Sequence, residues 1–527
     1  MKHIKYSAVF LILLVSLISC EDFLDTKPSD FLSPDTYYET EQELESALNG
    51  VYDVLGQSAM YGNYLISQNG EEADEGFYAK KSLVSGAQVC NTSISDANVL
   101  NLWQALYAGI SRANFLLESI DNPERTTRRD AIQGEALFLR SYYYYLLTLN
   151  WGDVPLILQP VKTTGGNNIP QASSDKIYEQ IVSDMQIAEE LVSDITDFGF
   201  GGRVNKSAVR GVLARVYLSW AGYPIKDESK YAEARKWALK VMEDEKAQHS
   251  LNPDFSQVFI NYAQDKYDIK ESIWEVEFWS DGTGTFKEYG RVGNNNGIIT
   301  TNEAVGYAYG YINANARLYN LYIGGDTLRR NWAVAPFKYN NSTGAKVYFT
   351  STQLYQRNCG KWRREYELIT PKIKGGTPQN FPLVRYSDVL LMFAEAENAV
   401  NNGPTEAAYN AINQVRRRGW GKLLPNAKDI TEADLPDNLD KVSFLREIQD
   451  ERSRELCFEC FRKKDLIRWG IYVETLRDAA AEITAEAPSG LVYGALAGNN
   501  VSDRDKLLPI PDYERGINKL LGQNDGY

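Results

Sequence analysis

The stretch from Phe444 to Gly470, FLREIQDERSRELCFECFRKKDLIRWG, constrains the fold most, because its helical pattern carries charges where a solvated helix would not. Arg452 stands on the same four-residue row as Ile448, Leu456 and Cys460, and such a row is one face of a helix. Glu447, Glu451, Glu455 and Glu459 form a second row, with Asp450/Arg454 and Glu459/Lys463 in acid-before-base order, which reads as a solvent face with supporting ion pairs. A guanidinium in the apolar row needs a carboxylate from elsewhere, since an unpaired buried charge costs several kcal/mol, on the order of 3–5. The other strongly patterned helix, Ser387 to Val400, offers Glu395 on a face shared with Leu391, Met392 and Ala399, and Ser387 as its cap. The spacing therefore predicts an Arg452–Glu395 pair between two docked helices.

These stretches also carry a family resemblance. RYSDVLLMFAEAEN, ERSRELCFECFRKKDLIRWG and the C-terminal LLPIPDYERGINKLLGQNDGY occur in the order, and with the wording, of the SusD/RagB family, joined in the first third by WQALYAGISRANFLL and GEALFLRSYYYYLLTLNWGDVPL. Members of that family are surface-exposed glycan-binding lipoproteins that partner outer-membrane TonB-dependent transporters. The resemblance spans nearly the whole mature chain and is weakest from about 261 to 382. It implies a mainly α, SusD-like fold, and a glycine where this chain has Cys460.

Residues 1–19 combine Lys2 and Lys5 with an apolar run from Ala8 to Ile18, the pattern of a secretory signal peptide. Leu17-Ile18-Ser19-Cys20 resembles a lipobox, which would make Cys20 the lipidated first residue of the mature chain, anchored to a membrane without crossing it. Removing the leader takes the formal net charge from −14 to −16. An acidic chain is a poor match for nucleic acid, which rewards basic patches.

Residues 20–34 read as a tether and 35–527 as one SusD-like domain. Its scaffold of about four tetratricopeptide-like helical hairpins would occupy roughly 35–260 and 383–527, with a strand-containing, aromatic-rich insert over about 261–382. Ser272 to Trp279 has strand propensity, and Gly, Asn, Thr and aromatic residues dominate beyond it. The 34 Tyr and 10 Trp suit sugar rings, whose apolar CH faces stack on aromatic plates while short polar side chains bond the hydroxyls. Outside the periodic helices such residues cluster in two places, giving Phe77 and Tyr78 in one loop and Trp279, Phe286, Tyr289, Tyr309 and Trp332 in the insert as candidate ligand contacts. Tyr307, Tyr309 and Tyr311 would share one face if extended.

Catalytic chemistry finds little support. His249 is the sole imidazole outside the leader and sits beside no nucleophile motif, and no carboxylate pair stands out for glycoside hydrolysis. Cys457 and Cys460 read as small buried hydrophobes, and Glu71, Glu72, Asp74 and Glu75 as a solvated acidic loop. Asp74 and Asp281 lack the spacing of a calcium loop, so neither metal nor cofactor is expected. The expected function is capture of an oligosaccharide for a TonB-dependent transporter at the cell surface. A peptide-binding uptake lipoprotein of RagB type and a secreted glycosidase are the alternatives.

Overall fold

The computed structural model describes residues 38–67, 72–161, 166, 168–280 and 287–527. The leader, Cys20, the tether, Glu71, Asp281 and Phe286 lie outside the described residues. The fold is mainly α. The first helix among the described residues, α1 (Glu41–Gly56), starts where Thr40 accepts from the Glu43 amide and Glu43 reaches back to Thr40, a reciprocal capping box. Leu44, Leu48, Val51 and Leu55 then form its buried stripe. Helices α2 (Ala97–Glu118), α3 (Thr127–Trp151), α4 (Ser174–Leu191), α5 (Lys206–Ala221) and α6 (Tyr231–Met242) pack successively against one another, as stacked helical repeats do.

The next partner of α6 along this stack is α7 (Tyr386–Val400), more than 140 residues further along the sequence. It packs in turn on α8 (Glu406–Gly419) and α9 (Lys441–Leu456). The insert is thus looped out between two adjacent helices of one scaffold. Its base is closed by antiparallel pairing of β2 (Ser272–Val276) with β8 (Phe381–Arg385), after the single earlier strand used below, β1 (Gly76–Tyr78). Ile273, Trp274 and Val276 of β2 belong to the same buried core as the helices, so the insert and scaffold share one interior.

The Phe444–Gly470 region departs from expectation in an informative way. It is not one helix: α9 stops at Leu456, and α10 (Arg462–Arg468) resumes after a turn in which Phe458 and Cys460 have φ of 61° and 67°. Left-handed backbone favours glycine, which accounts for the residue the family resemblance implies at Cys460. The second row is also no solvent face. Glu451, Glu455 and Glu459 are buried completely or nearly so, and Glu455 accepts Arg418 (2.5 Å), Arg385 (3.0 Å) and Arg329 (3.1 Å). Glu459 holds Lys361 (2.5 Å) and Arg385 (2.8 Å), while Glu451 holds Arg329 (2.7 Å) and Arg454 (2.9 Å). Arg329 and Lys361 belong to the insert, so this carboxylate ridge clamps the insert to the scaffold.

Arg452 is buried as expected, and a carboxylate of α7 does meet it, but Asp388 at 2.7 Å takes the place assigned to Glu395. Asp465 of α10 supplies a second acid at 2.7 Å. Glu395 lies two turns further along α7 and instead accepts from Arg468 (2.8 Å) and Trp469 Nε1 (2.9 Å). Ser387 does not cap α7, because the helix starts at Tyr386, and its hydroxyl accepts from Arg385 (2.7 Å). The acidic loop is likewise internal. Asp74 grips Arg462 through both carboxylate oxygens (2.7 and 2.9 Å), Glu72 meets Lys463 (2.7 Å), and Glu75 accepts the Phe458 amide (3.2 Å). His249 is buried, with Nε2 2.8 Å from Ser207 Oγ, which makes it a packing residue.

One buried acid makes the fold pH-sensitive. Glu275 in β2 accepts from Ser272 Oγ (2.7 Å) and Asn380 Nδ2 (3.1 Å), and burial pushes its carboxyl up to about 8. The unfolded carboxyl titrates near 4.3, so the folded state holds an extra proton between the two values. The stabilisation is full at acid pH and is lost as pH rises towards 8. Glu275→Gln, which is neutral throughout, is expected to remove about 2–4 kcal/mol of this dependence between pH 5 and 8. Urea midpoints of the two proteins across that range provide the check, and parallel curves would contradict it.

Candidate functional site: a tyrosine ladder

The two candidate regions meet in space. β1 pairs antiparallel with β5 (Ile312–Ala314), which follows the short hairpin strands β3 (Trp279–Ser280) and β4 (Lys287–Glu288). The register sets Tyr78 opposite Ile312, and Ala79 N–H donates to Tyr311 O at 2.6 Å. The segment carrying Tyr307, Tyr309 and Tyr311 is irregular rather than a strand, yet its three rings adjoin. Tyr78 stacks on Tyr311 (centroids 5.1 Å, 26° between planes), Tyr311 on Tyr309 (5.0 Å, 5°), and Tyr307 meets Tyr309 edge-on (5.0 Å, 83°). Tyr309 is 39% exposed and the other three are half-buried.

The backbone beneath the ladder is held by buried residues of neighbouring segments. Asn294, Asn295 and Asn296 are buried. Asn294 Nδ2 donates to Tyr307 O (3.0 Å) and Lys374 O (2.8 Å), and the carbonyls of Asn294 and Asn295 accept the amides of Tyr309 and Tyr311, each at 2.8 Å. Arg364, paired with Glu367 at 2.8 Å, donates to Tyr307 O at 2.6 Å. Gly310 separates two rungs at φ 61°, and a Cβ there would sit 2.7 Å from Ile299 Cβ, so only glycine lets the chain pass.

None of the four phenol hydroxyls bonds to another described residue. Burial pushes the Tyr78 and Tyr311 phenols above their ordinary range, so both stay protonated and can donate at neutral pH. Lys374 Nζ lies 5.2 Å from the Tyr307 centroid, and Arg291 is close enough to act on the Tyr311 phenol. The surface thus offers aromatic area, a row of hydroxyls and two cations. Those are the elements of sugar recognition.

The remaining candidates fall elsewhere. Phe77 is buried, meeting Tyr493 edge-on at 6.0 Å in an apolar cluster with Ala480 and Ile483. Trp332 is buried with the Arg363 guanidinium 4.0 Å over its ring. Trp279 is 49% exposed on its own hairpin, opposite Glu288, and the half-buried Tyr289 ring lies across Gly376. Tyr307 and Tyr311 complete the ladder, and their two-residue spacing was the signal for them. Nothing in the pattern marked Arg291 or Lys374, whose places depend on the loops that carry them.

Residues 22–218 match a family described as "Starch-binding associating with outer membrane", and residues 337–527 match the SusD family. A SusD-like protein of Formosa agariphila is 26% identical over 98% of this chain and 97% of its own. A SusD homologue of Bacteroides thetaiotaomicron, solved by crystallography, is 29% identical with a TM-score of 0.85, covering 94% of this chain and 98% of that one. A laminarin-binding SusD-like protein has the same fold at 22% identity and a TM-score of 0.68, over 92% and 99% of the two chains. With family matches over both the N-terminal helical block and the C-terminal clamp, and relatives aligned from end to end, this chain belongs to the SusD/RagB family.

Proposed function

We propose that the chain is a binding protein that captures an oligosaccharide on the Tyr78–Tyr311–Tyr309–Tyr307 ladder and passes it to a TonB-dependent transporter of the outer membrane. The single observation carrying this reading is the ladder itself, four adjoining rings on a backbone braced from beneath, whose hydroxyls bond to no other described residue. The family description, starch binding in association with the outer membrane, and a fold neighbour named for laminarin both support a glycan. Trp279, on an exposed hairpin, is assigned an outlying contact, and Tyr289 braces the loop carrying Gly376. The test is a glycan array run beside a peptide panel and a hydrolysis assay on the chain starting after Cys20. Saturable retention of one glycan class without turnover is the expected result. Retention of peptides alone would favour a RagB-type peptide carrier, and turnover would make the protein a glycosidase.

The same reading places the chain on the outer cell surface through a lipid on Cys20. Stable anchoring takes two acyl chains, and a lipobox cysteine receives them. Labelled palmitate is expected in the wild type and absent from Cys20→Ala, which should also leave the membrane fraction. Equal labelling of both would contradict the anchor.

A further inference from the structure

A second, internal site lies away from the ladder, where the end of α3, α5, β8 and the α9–α10 turn meet. They enclose a cavity of about 80 Å³, with half-buried Leu149, Phe461 and Lys464 on its rim. Four cations line it: Arg215, Arg452, Arg468 and Lys464. Asp388 takes Arg215 (2.6 Å) and Arg452 (2.7 Å), Asp465 takes Arg452 (2.7 Å) and Arg468 (2.9 Å), and Glu395 takes Arg468. The lining Glu459 is already held by Lys361 and Arg385. Three carboxylates therefore balance three guanidiniums, and the Lys464 charge is left over. Among the described residues its ammonium donates only to neutral acceptors, Leu149 O (2.8 Å) and Asn150 Oδ1 (3.0 Å).

The hydrogen-bond inventory has the same imbalance. An ammonium has three donors, and Lys464 uses two. Arg215 is 91% buried, yet its Nε–H has no partner among the described residues. Tyr61 and Tyr142 bond hydroxyl to hydroxyl, which uses one of their two protons. The lining thus carries residues with unused donors, and the Lys464 charge has no acidic hydrogen-bond partner among the described residues, whereas buried polar groups require one. Burial, followed by the charge of Lys463, pushes the Lys464 ammonium down to about 7 against the weaker pull of Glu72, whose own ion pair is with Lys463.

We propose that this cavity is a binding site for one small monovalent anion, a halide or a carboxylate no larger than acetate, held by Lys464 Nζ and a phenol of the Tyr61–Tyr142 pair, with Arg215 in the wall. Water could satisfy the donors but would leave the charge uncompensated, and the volume admits an anion of this size. The occupant would join the N-terminal helices to the C-terminal clamp, so its effect is on stability and is independent of glycan capture at the ladder.

The test uses the detergent-extracted full chain at pH 6.5 in sodium chloride, bromide, formate or gluconate at equal ionic strength. Unfolding temperatures are expected to rise with the first three relative to gluconate, which is too large to enter. Lys464→Gln should weaken the apparent affinity for bromide at least tenfold. Crystals of the wild type grown in bromide should show an anomalous peak in the cavity beside Lys464 and Arg215, a readout that stands if the variant fails to fold. Ordered water alone in the cavity, or an undiminished anion response in a folded Lys464→Gln, would overturn the site. A bromide peak seen only at molar salt, with no shift in unfolding, would mean an adventitious ion only and would also overturn it.

Discussion

Glu455→Ala is expected to be the most damaging single substitution in the clamp, destabilising the protein by at least about 3–5 kcal/mol. The carboxylate is completely buried and accepts from three guanidiniums, of Arg418, Arg385 and Arg329. Although burial pushes this acid up, those cations together pull it down to about 2, so it stays ionised across the neutral range. Alanine would leave its three partners in a low-dielectric interior with a counter-charge missing, and the desolvation cost already incurred would no longer be offset. Because Arg329 comes from the insert, the loss should also loosen the attachment of the insert to α9. Glu455→Gln keeps the shape and one acceptor oxygen and should cost less. Exposed Glu406 in the first turn of α8 supplies a comparison, since its replacement should stay within about 0.5 kcal/mol. Denaturant unfolding of the three variants provides the measurement, and a Glu455→Ala value as small as that of Glu406→Ala would remove the clamp from the account.

The second large effect is on binding. Tyr311 is the central rung, stacked on both Tyr78 and Tyr309. Tyr311→Ala removes its own contact and the support of two neighbours, so affinity for the cognate oligosaccharide should fall by about 2 kcal/mol or more, roughly 30-fold. Tyr309→Ala, at the most exposed rung, should lose about 1–2 kcal/mol. Tyr311→Phe keeps the stack and deletes only the hydroxyl, separating ring contact from hydrogen bonding. Trp332→Ala should instead lower stability, since that ring is buried under Arg363. Calorimetric affinities paired with melting temperatures would distinguish these cases. Unchanged affinity in Tyr311→Ala would detach the ligand from the ladder.

How far the sequence speaks depends on how local the cause is. The helical hairpins were legible because their apolar stripes and caps are local: Thr40, Asn205 and Asp440 each cap a helix a few residues from the pattern's own edge. The two-residue spacing of Tyr307, Tyr309 and Tyr311 points to one face on an extended chain, but the segment is irregular, with Gly310 at φ 61°, and it is held by tertiary bonds to the Asn294 and Asn295 carbonyls. Charge pairing was not legible. The glutamate row of α9 has the spacing of a solvated face, and only tertiary burial against Arg329, Lys361, Arg385 and Arg418 gives it the opposite role. The acidic loop misled similarly, because its partners Arg462 and Lys463 lie almost 400 residues away. Buried and exposed aromatics look alike in sequence, which is why Phe77 and Tyr78 were named together although one points into the core and the other into the ladder.

Diffraction from crystals grown with the oligosaccharide selected on the array addresses the central claim most directly. Sugar density is expected against the Tyr309 and Tyr311 rings, with ligand hydroxyls within hydrogen-bond distance of the ladder phenols. Density elsewhere, with the four tyrosines bare, would contradict it.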